Sequence, residues 1–235
     1  MHFLLTNDDG IDAVGIAALE NAVSILPGVT YTVVAPLTEQ SQCGHRVTTH
    51  GPLVVNKRDE QHYSVVGTPA DCVRIALFGL HLRPDYVLSG INAGGNMGQD
   101  IVISGTVAAA REAAYHGLPA MALSHYLISK VGLDWPRMSR WTKQLVEELL
   151  PQPLLDGEFW NVGFPHLPPG DVSLPERVPA VPCRSPLNVA YESTPLGDDS
   201  TAYHYTARYA DRPVDAASDV DVCFGGRIAV SKLRI

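Results

Sequence analysis

The sequence lacks the residue patterns that usually hold transition metals or build disulfide scaffolds. Its nine histidines include no H-E-x-x-H motif and no pair spaced four residues apart, and its four cysteines include no C-x-x-C motif. These absences argue against a zinc site and against a small secreted framework. Scattered thiols are typical of a reduced, cytosolic protein. They lie at Cys43, Cys72, Cys183 and Cys223.

A basic surface is also missing. The formal net charge is −8 and the sequence pI is near 5.5, which argues against a protein that binds the backbone of duplex nucleic acid. An acidic protein can still bind a phosphorylated small molecule where a cation or oriented N–H groups reverse the local field. No apolar run reaches the roughly 18 residues of a membrane span, and no charged-then-apolar leader is present. We therefore expect a cytoplasmic protein that binds neither nucleic-acid duplexes nor membranes.

Two widespread phosphate-binding motifs are absent as well. The sequence contains no G-x-x-x-x-G-K-[ST] motif, and the glycine run GINAGGNMG does not satisfy G-x-G-x-x-G. A P-loop is therefore excluded, and we do not expect a dinucleotide cofactor.

Apolar segments alternate with helical patterns through most of the chain. Short apolar runs bounded by turn residues predict buried strands at residues 2–6, 31–36, 85–90, 118–124 and 159–165. Helical periodicity or capping signals predict helices over 13–26, from Thr68 onward, over 104–117 and over 137–150. Strand–helix–strand order implies parallel pairing with both faces covered. We expect an α/β fold, a Rossmann-like open and mostly parallel sheet with a mixed C-terminal extension.

The second half of the chain predicts a less regular structure. Prolines and turn residues become frequent from Pro168, and the chain closes with GGRIAVSKLRI, a pattern that fits an extended hairpin arm. We expect residues 1–165 to form the Rossmann-like core. We expect residues 166–235 to complete the domain and to supply oligomer contacts.

Polar side chains follow three of the predicted strands. In an open parallel sheet, ligands bind beyond the carboxyl ends of the strands, where the strand order reverses. Asn-Asp-Asp-Gly is also ordinary turn chemistry, and a serine in a loop or an asparagine before glycines is often only a turn residue. The residues that follow the strands are Asn7, Asp8, Asp9 and Gly10, then Thr38, Glu39, Gln40 and Ser41, then Asn92 and Asn96. If they lie together, their carboxylate, hydroxyl and amide oxygens suit Mg²⁺ or Mn²⁺.

A phosphate cradle is predicted at the start of the helix over 104–117. Ser104, Gly105 and Thr106 open this helix, so the N–H groups of Gly105 and Thr106 could face an anion between two hydroxyls. The alternative is that Ser104 only caps the helix. The preceding glycine-rich segment favours the cradle.

Four motifs in order resemble the SurE family (survival protein E) of metal-dependent 5′/3′-nucleotidases. They are TNDDG, GTPADCV, SGINAGGNMG and SGTVAAAREA, and SDVDVCFGGRIAVS near the end is similar to the family's ending. The resemblance implies one divalent metal ion, Mg²⁺ or Mn²⁺, held by Asp8, Asp9, Ser41 and Asn92. It also implies phosphate contacts from Asn96, Ser104, Gly105 and Thr106. The segment PLTEQSQCGH departs from the family pattern around the serine, so Thr38 is the alternative ligand.

The resemblance further implies hydrolysis of nucleoside 5′- or 3′-monophosphates by metal-activated water, in a dimer or tetramer. Asp8 and Asp9 are the catalytic candidates, and Asp8 is favoured as the base. Two alternatives stay open. One is an aspartyl-phosphate intermediate, although the phosphatases that use it carry Asp-x-Asp rather than adjacent acids. The other is a nucleotide sensor that binds without cleaving.

Overall fold

The computed structural model describes residues 1–170 and 173–235, and within them the chain forms six α-helices and eleven strands. The strands are β1 (His2–Thr6), β2 (Thr30–Pro36), β3 (Val55–Lys57), β4 (His62–Val65), β5 (Tyr86–Asn92), β6 (Ala120–His125), β7 (Glu158–Phe164), β8 (Arg177–Pro179), β9 (Tyr191–Gly197), β10 (Ser200–Tyr205) and β11 (Ile228–Arg234). The helices are α1 (Val14–Ser24), α2 (Pro69–Arg74), α3 (Asp100–Ile103), α4 (Gly105–Tyr115), α5 (Trp135–Leu149) and α6 (Asp219–Phe224).

The main sheet has the strand order β3-β4-β2-β1-β5-β6-β7-β11-β8. Strands β4 through β7 in this order pair in parallel, whereas β3 is antiparallel to β4 and β11 is antiparallel to β7. The expected Rossmann-like, mostly parallel sheet with a mixed end is confirmed. None of the helices in the described residues is both long and apolar enough to cross a bilayer.

Both faces of the sheet are covered by helices. Because successive side chains of a strand point to opposite faces, Phe3 and Leu5 of β1 pack in the core under α1 and α5, and Leu4 packs in the core under α2 and α4. The predicted apolar face of the first helix is buried as expected. Its members are Ile16, Leu19, Val23 and the flanking Leu26.

Local signals set the predicted helix starts and turns. Thr68 caps α2 in a full capping box with Asp71, and Pro69 occupies the first helical position. Gly10 has φ +100° directly after the two acids, which is the conformation that the turn requires and that glycine adopts readily. The helix predicted from Thr68 is short, because Ile75–Gly79 continues it as a wider π-type turn.

The predicted hairpin arm at the C-terminus is wrong. Residues Ile228–Arg234 form β11, which lies inside the main sheet between β7 and β8. Ile228, Ala229 and Val230 are buried because β11 pairs with a strand on each side and its side chains pack in separate cores on the two faces of the sheet. The hairpin of this region is instead β9–β10, which is largely exposed.

The buried carboxylate of Glu112 connects α4 to His45 and to Arg74 of α2. The side chain of Glu112 lies 2.7 Å from His45 Nε2 and 2.9 Å from His116 Nε2, and it accepts a hydrogen bond from Arg74 Nε. Burial alone would raise the pKa of Glu112, but these three partners lower it to about 2. A depressed carboxyl pKa means that the ionised form stabilises the fold at neutral pH.

We expect Glu112→Gln to lower the free energy of unfolding by roughly 1–3 kcal/mol at pH 7, because it removes the charge that these partners share. The unfolded carboxyl titrates near pH 4.5 and the folded one near pH 2. The advantage of the wild type should therefore shrink below pH 4.5 by about 1.4 kcal/mol per pH unit. Urea titrations at pH 7, 4.5 and 3.5 measure the difference in unfolding free energy between the wild type and the variant. Glu147→Gln, at a half-exposed position, is a near-neutral control. A difference that does not depend on pH would contradict the assignment.

Candidate active site

The predicted site residues converge at the point where the strand order reverses. The chain runs from β1 to β2 on one side and later returns to β5 on the other side of β1, and the crevice between β1 and β5 is the usual ligand position in such a sheet. A cleft of about 430 Å³ opens there, within the usual range of ligand sites. Six of the eight residues predicted to bind the metal or the phosphate line it, namely Asp8, Asp9, Ser41, Asn92, Asn96 and Ser104.

Asp8 is buried directly against the first turn of α4. The Thr106 hydroxyl donates to Asp8 Oδ1 at 2.5 Å, and the backbone N–H of Thr106 also bonds this carboxylate. Burial raises the pKa of Asp8 to about 6, the charge of Asp9 adds to the rise, and the bonds from Thr106 oppose it. The helix end therefore offsets only part of the cost of an ionised Asp8.

Asp9 is the more open of the two acids. Its Oδ2 accepts a hydrogen bond of 3.0 Å from the N–H of Ala93, just beyond β5. Burial and the nearby Glu39 raise the pKa of Asp9, and the bond from Ala93 lowers it in part. The Asp9 carboxylate therefore connects the end of β1 to the end of β5, and it also lines the cleft.

The start of α4 has the predicted capping geometry. Ser104 Oγ accepts the N–H of Val107 at 3.1 Å, so Ser104 does cap the helix, and it lines the cleft as well. A Cβ on Gly105 would lie 2.9 Å from Asp8 Cβ and 3.0 Å from Cys43 Sγ. Only glycine therefore lets the helix start approach Asp8 this closely. Gly105 and Thr106 lie just outside the cleft lining, and their phosphate contacts stay a prediction.

The loop over residues 37–45 brings Ser41 to the cleft. The N–H of Gln40 donates to the Asp8 carbonyl at 2.7 Å, and the N–H of Gly44 donates to Ile103 at 2.9 Å. Ser41 Oγ donates to Glu39 at 2.5 Å. The alternative ligand, Thr38, is exposed and is not part of the cleft lining. Of the two hydroxyls, Ser41 is the one that the fold places beside the acids.

The donor set fits a hard divalent cation. No group of three or more His, Cys, Asp or Glu side chains in residues 1–170 and 173–235 is arranged to hold a metal ion. A cation here would therefore use two carboxylates and neutral oxygens, and Mg²⁺ or Mn²⁺ accept that combination. Burial, with a smaller contribution from a neighbouring acid, raises the pKa of both Asp8 and Asp9, and a cation between them would favour their ionised forms.

The cleft also contains Asp100, Tyr126 and Tyr209, which were not among the predicted site residues. Asp100 and Tyr126 line the cleft from α3 and from the end of β6, and Tyr209 lines it from the C-terminal region. Asp100 comes shortly after the glycine-rich segment GINAGGNMG, and its position beside that segment could have indicated it from the sequence. Tyr209 comes from a segment over a hundred residues away in sequence from Asp100, so no local pattern indicates it.

An open parallel sheet with paired acids at its switch point, facing a helix N-terminus, defines a phosphate-handling α/β protein. The family model "Survival protein SurE" matches residues 3–179. The chain belongs to the SurE family.

Known relatives agree with this membership over most of the chain. A protein of Nostoc sp., provisionally named a 5′-nucleotidase, is 50% identical over all of both chains. The "5′-nucleotidase SurE" of Brevibacillus brevis is 34% identical across all of this chain and 91% of its own. The crystal structure of the SurE protein from Aquifex aeolicus superposes with a TM-score of 0.85, at 29% identity, over 100% of this chain and 93% of that one.

We expect Asp8→Asn to stabilise the metal-free protein. A pKa of about 6 instead of 3.8 corresponds to roughly 3 kcal/mol against ionised Asp8 above pH 6, and an amide keeps the acceptor for Thr106. With chelator present, Tm at pH 7.5 should rise by roughly 6–12 °C, since a chain of this length shifts by about 2–4 °C per kcal/mol. The gain should vanish below pH 4, where Asp8 is protonated in both the folded and unfolded states.

Asp85→Asn is the matched control for this measurement. Asp85 lies at the opposite end of the sheet, where its carboxylate accepts the N–H of His2 at 2.7 Å. This variant should show no rise in Tm. A metal-free Asp8→Asn that melts below the wild type at pH 7.5 would contradict the interpretation of Asp8 as an uncompensated charge.

Proposed function

We propose that this chain hydrolyses nucleoside 5′-monophosphates, and 3′-monophosphates as a second class, to nucleoside and inorganic phosphate. The observation that carries the proposal is the cleft in which Asp8 and Asp9 face the start of α4. Two adjacent carboxylates repel an anionic ligand unless a cation lies between them. An anion receptor gains nothing from them, whereas a metal-dependent phosphatase requires them. Relatives that are named 5′-nucleotidase support the nucleotide as substrate.

The chain's own residues would bind and orient the phosphate. The positive end of the α4 dipole, with Ser104, Gly105 and Thr106, attracts phosphoryl oxygens. Asn96 adds an amide donor, since its Nδ2 is buried without a partner among the described residues. A divalent cation held by Asp8, Asp9, Ser41 and Asn92 would supply Lewis-acid charge that offsets the carboxylates and the phosphoryl oxygens. Positioning and electrostatic stabilisation together provide the rate enhancement.

One of the two acids must accept the proton of the attacking water. Asp8 is buried and its Oδ1 is occupied by Thr106, whereas Asp9 is only half-buried and borders the open cleft. A base has to exchange its proton with solvent after each turnover. We therefore assign the base to Asp9, although the sequence alone favoured Asp8.

Phosphate release from a panel of nucleoside monophosphates is the direct test. We expect turnover with Mg²⁺ or Mn²⁺, loss of turnover with chelator, and recovery when metal is restored. Asp9→Asn should lower kcat by at least a hundredfold, as loss of a general base commonly does. Asp85→Asn at the far end of the sheet should retain wild-type rates.

The two alternatives give different results in the same experiment. A nucleotide sensor would bind the monophosphates with no release of phosphate under either metal. An aspartyl-phosphate enzyme would yield acid-stable labelled protein after quenching a reaction with a nucleoside monophosphate labelled in its phosphate, and metal-assisted attack by water would not. Release of phosphate that is unaffected by chelator would overturn the role of the cation.

We propose further that the chain forms a homodimer or homotetramer. The β9–β10 hairpin exposes Leu196 and Tyr203 at about 70% of their surface, together with Tyr191 and Tyr205. Exposed apolar groups on a two-stranded hairpin favour association, because such a hairpin is marginal in water by itself. Sedimentation velocity should give twice or four times the chain mass, and Tyr203→Asp with Leu196→Asp should shift it toward one chain. A wild-type monomer at micromolar concentration would contradict the proposal.

A cytoplasmic location rests on the thiols. Cys43, Cys72, Cys183 and Cys223 are all free in the described residues. Free thiols suit a reducing compartment, and cell fractionation tests this expectation.

A further inference from the structure

The loop over residues 93–99 presents Asn96 to the cleft and needs external support. Three of its seven residues are glycines, so it loses much conformational entropy when it is held in one shape. The sheet fixes its middle, because the Asn96 N–H donates to Ser124 Oγ at 3.1 Å and Asn161 Nδ2 donates to the Asn96 carbonyl at 3.0 Å. Its first residues are held by Asp9, which accepts the N–H of Ala93, and by Asn92, which donates to the Gly94 carbonyl. The C-terminal region supplies further contacts.

Three C-terminal side chains, Tyr209, Arg212 and Asp219, hold the rest of the loop, and we call them the latch. Arg212 donates from Nη2 to the Met97 carbonyl at 3.2 Å and from Nη1 to Asp100 Oδ2 at 2.6 Å. The Tyr209 hydroxyl lies 3.2 Å from the Gly95 carbonyl oxygen and 2.9 Å from Asp100 Oδ2, and its single proton is shared between these two acceptors.

Asp219 holds the last part of the loop from the start of α6. Its Oδ2 accepts the N–H of Gly98 at 2.8 Å, and its Oδ1 accepts the N–H of Cys183 at 2.8 Å. Asp219 is 1% exposed and Arg212 is 4% exposed. Buried charges keep their partners, because losing a partner leaves a charge without compensation in a low-dielectric interior. The latch is therefore far more rigid than contacts made on the surface.

The latch does not offer a binding face of its own. One side of the Tyr209 ring carries the guanidinium of Arg212, 4.8 Å from the ring centroid, and Tyr126 lies 6.0 Å away. Tyr126 in turn stacks on Phe224 at 4.6 Å. With these rings packed against one another, the latch supports the loop rather than stacking on a nucleobase.

We infer that Tyr209, Arg212 and Asp219 are positioning residues for phosphate binding. They fix the loop that places Asn96 in the lining of the cleft, which Ser104 at the start of α4 also lines. Asp8 follows β1 and has no hydrogen bond to the latch within the described residues, and Asp9 contacts the loop only at its first residue, through the N–H of Ala93. The expected effect on KM rests on the proposed function, whereas the expected rigidity of the loop does not.

Arg212→Met should raise KM for the nucleoside monophosphate and the inhibition constant of inorganic phosphate by the same factor, about tenfold, which equals the loss of one good hydrogen bond. The Mn²⁺ concentration for half-maximal activity should change less than threefold. Tyr209→Phe, which keeps the ring, should raise both constants by roughly two- to fivefold. Arg212→Lys should restore part of the loss.

Arg137→Met is the matched control. Arg137 is equally buried, but it donates to the carbonyls of Leu167 and Pro168 and stacks on Trp141. This variant should lower Tm without changing KM or phosphate inhibition. Equal changes in KM in the Arg137 and Arg212 variants would mean general destabilisation and would overturn the inference.

Hydrogen exchange separates the latch from the proposed function. Peptides covering residues 93–104 should exchange at least tenfold faster in Arg212→Met and in Tyr209→Phe, while peptides covering β1 stay protected. If the wild type hydrolyses no nucleotide, the proposed function fails. The exchange measurement still tests whether the latch holds the loop over 93–99. If a folded Arg212→Met variant shows the exchange rates and the KM of the wild type, the inference about the latch is overturned. If Arg212→Met does not fold, the same comparison is made with Tyr209→Phe.

Discussion

The carboxylate of Asp8 lies against the first turn of α4, and the cleft is arranged around that contact. A buried carboxylate is costly, and the helix end with the Thr106 hydroxyl and N–H offsets part of the cost. Gly105 allows the close approach. The remaining negative charge, increased by Asp9, is what makes the cleft suited to a divalent cation. The burial of Asp8 therefore costs stability and leaves negative charge beside the start of α4.

The parts of the cleft differ in rigidity, and the loops are fastened by buried acids. Asp8 and the start of α4 belong to the sheet and a helix. The two loops over 37–45 and 93–99 have no regular structure to hold them. Glu112 holds the first loop through His45, and Asp219 holds the second through the N–H of Gly98. Asp100 pairs with Arg212, which in turn donates to the Met97 carbonyl of the second loop. Each of these carboxylates is buried with several donors, which makes its attachment strong and specific.

Local sequence patterns predicted much of the fold because they act within a few residues. The apolar run before Asn7, the capping box of Thr68 and the cap at Ser104 need only neighbouring residues to work, and the structure contains all three. The placement of Asp8, Asp9 and Asn92 followed from a general rule about strand ends in parallel sheets. The C-terminal arm was mispredicted because GGRIAVSKLRI specifies an extended strand but not its partner. β11 takes its place between β7 and β8 by long-range pairing.

The sequence by itself determined the order of strands and helices, the residues at the strand ends and the helix start at Ser104. It also determined the SurE resemblance through four local motifs. Only the tertiary structure decided that Thr106 holds Asp8, that Asp9 is the more open acid, and that Tyr209, Arg212 and Asp219 support the glycine-rich loop. These contacts join residues about a hundred positions apart. Such pairs leave no periodicity in the chain, and they form only when the sheet has brought its strand ends and the C-terminal region together.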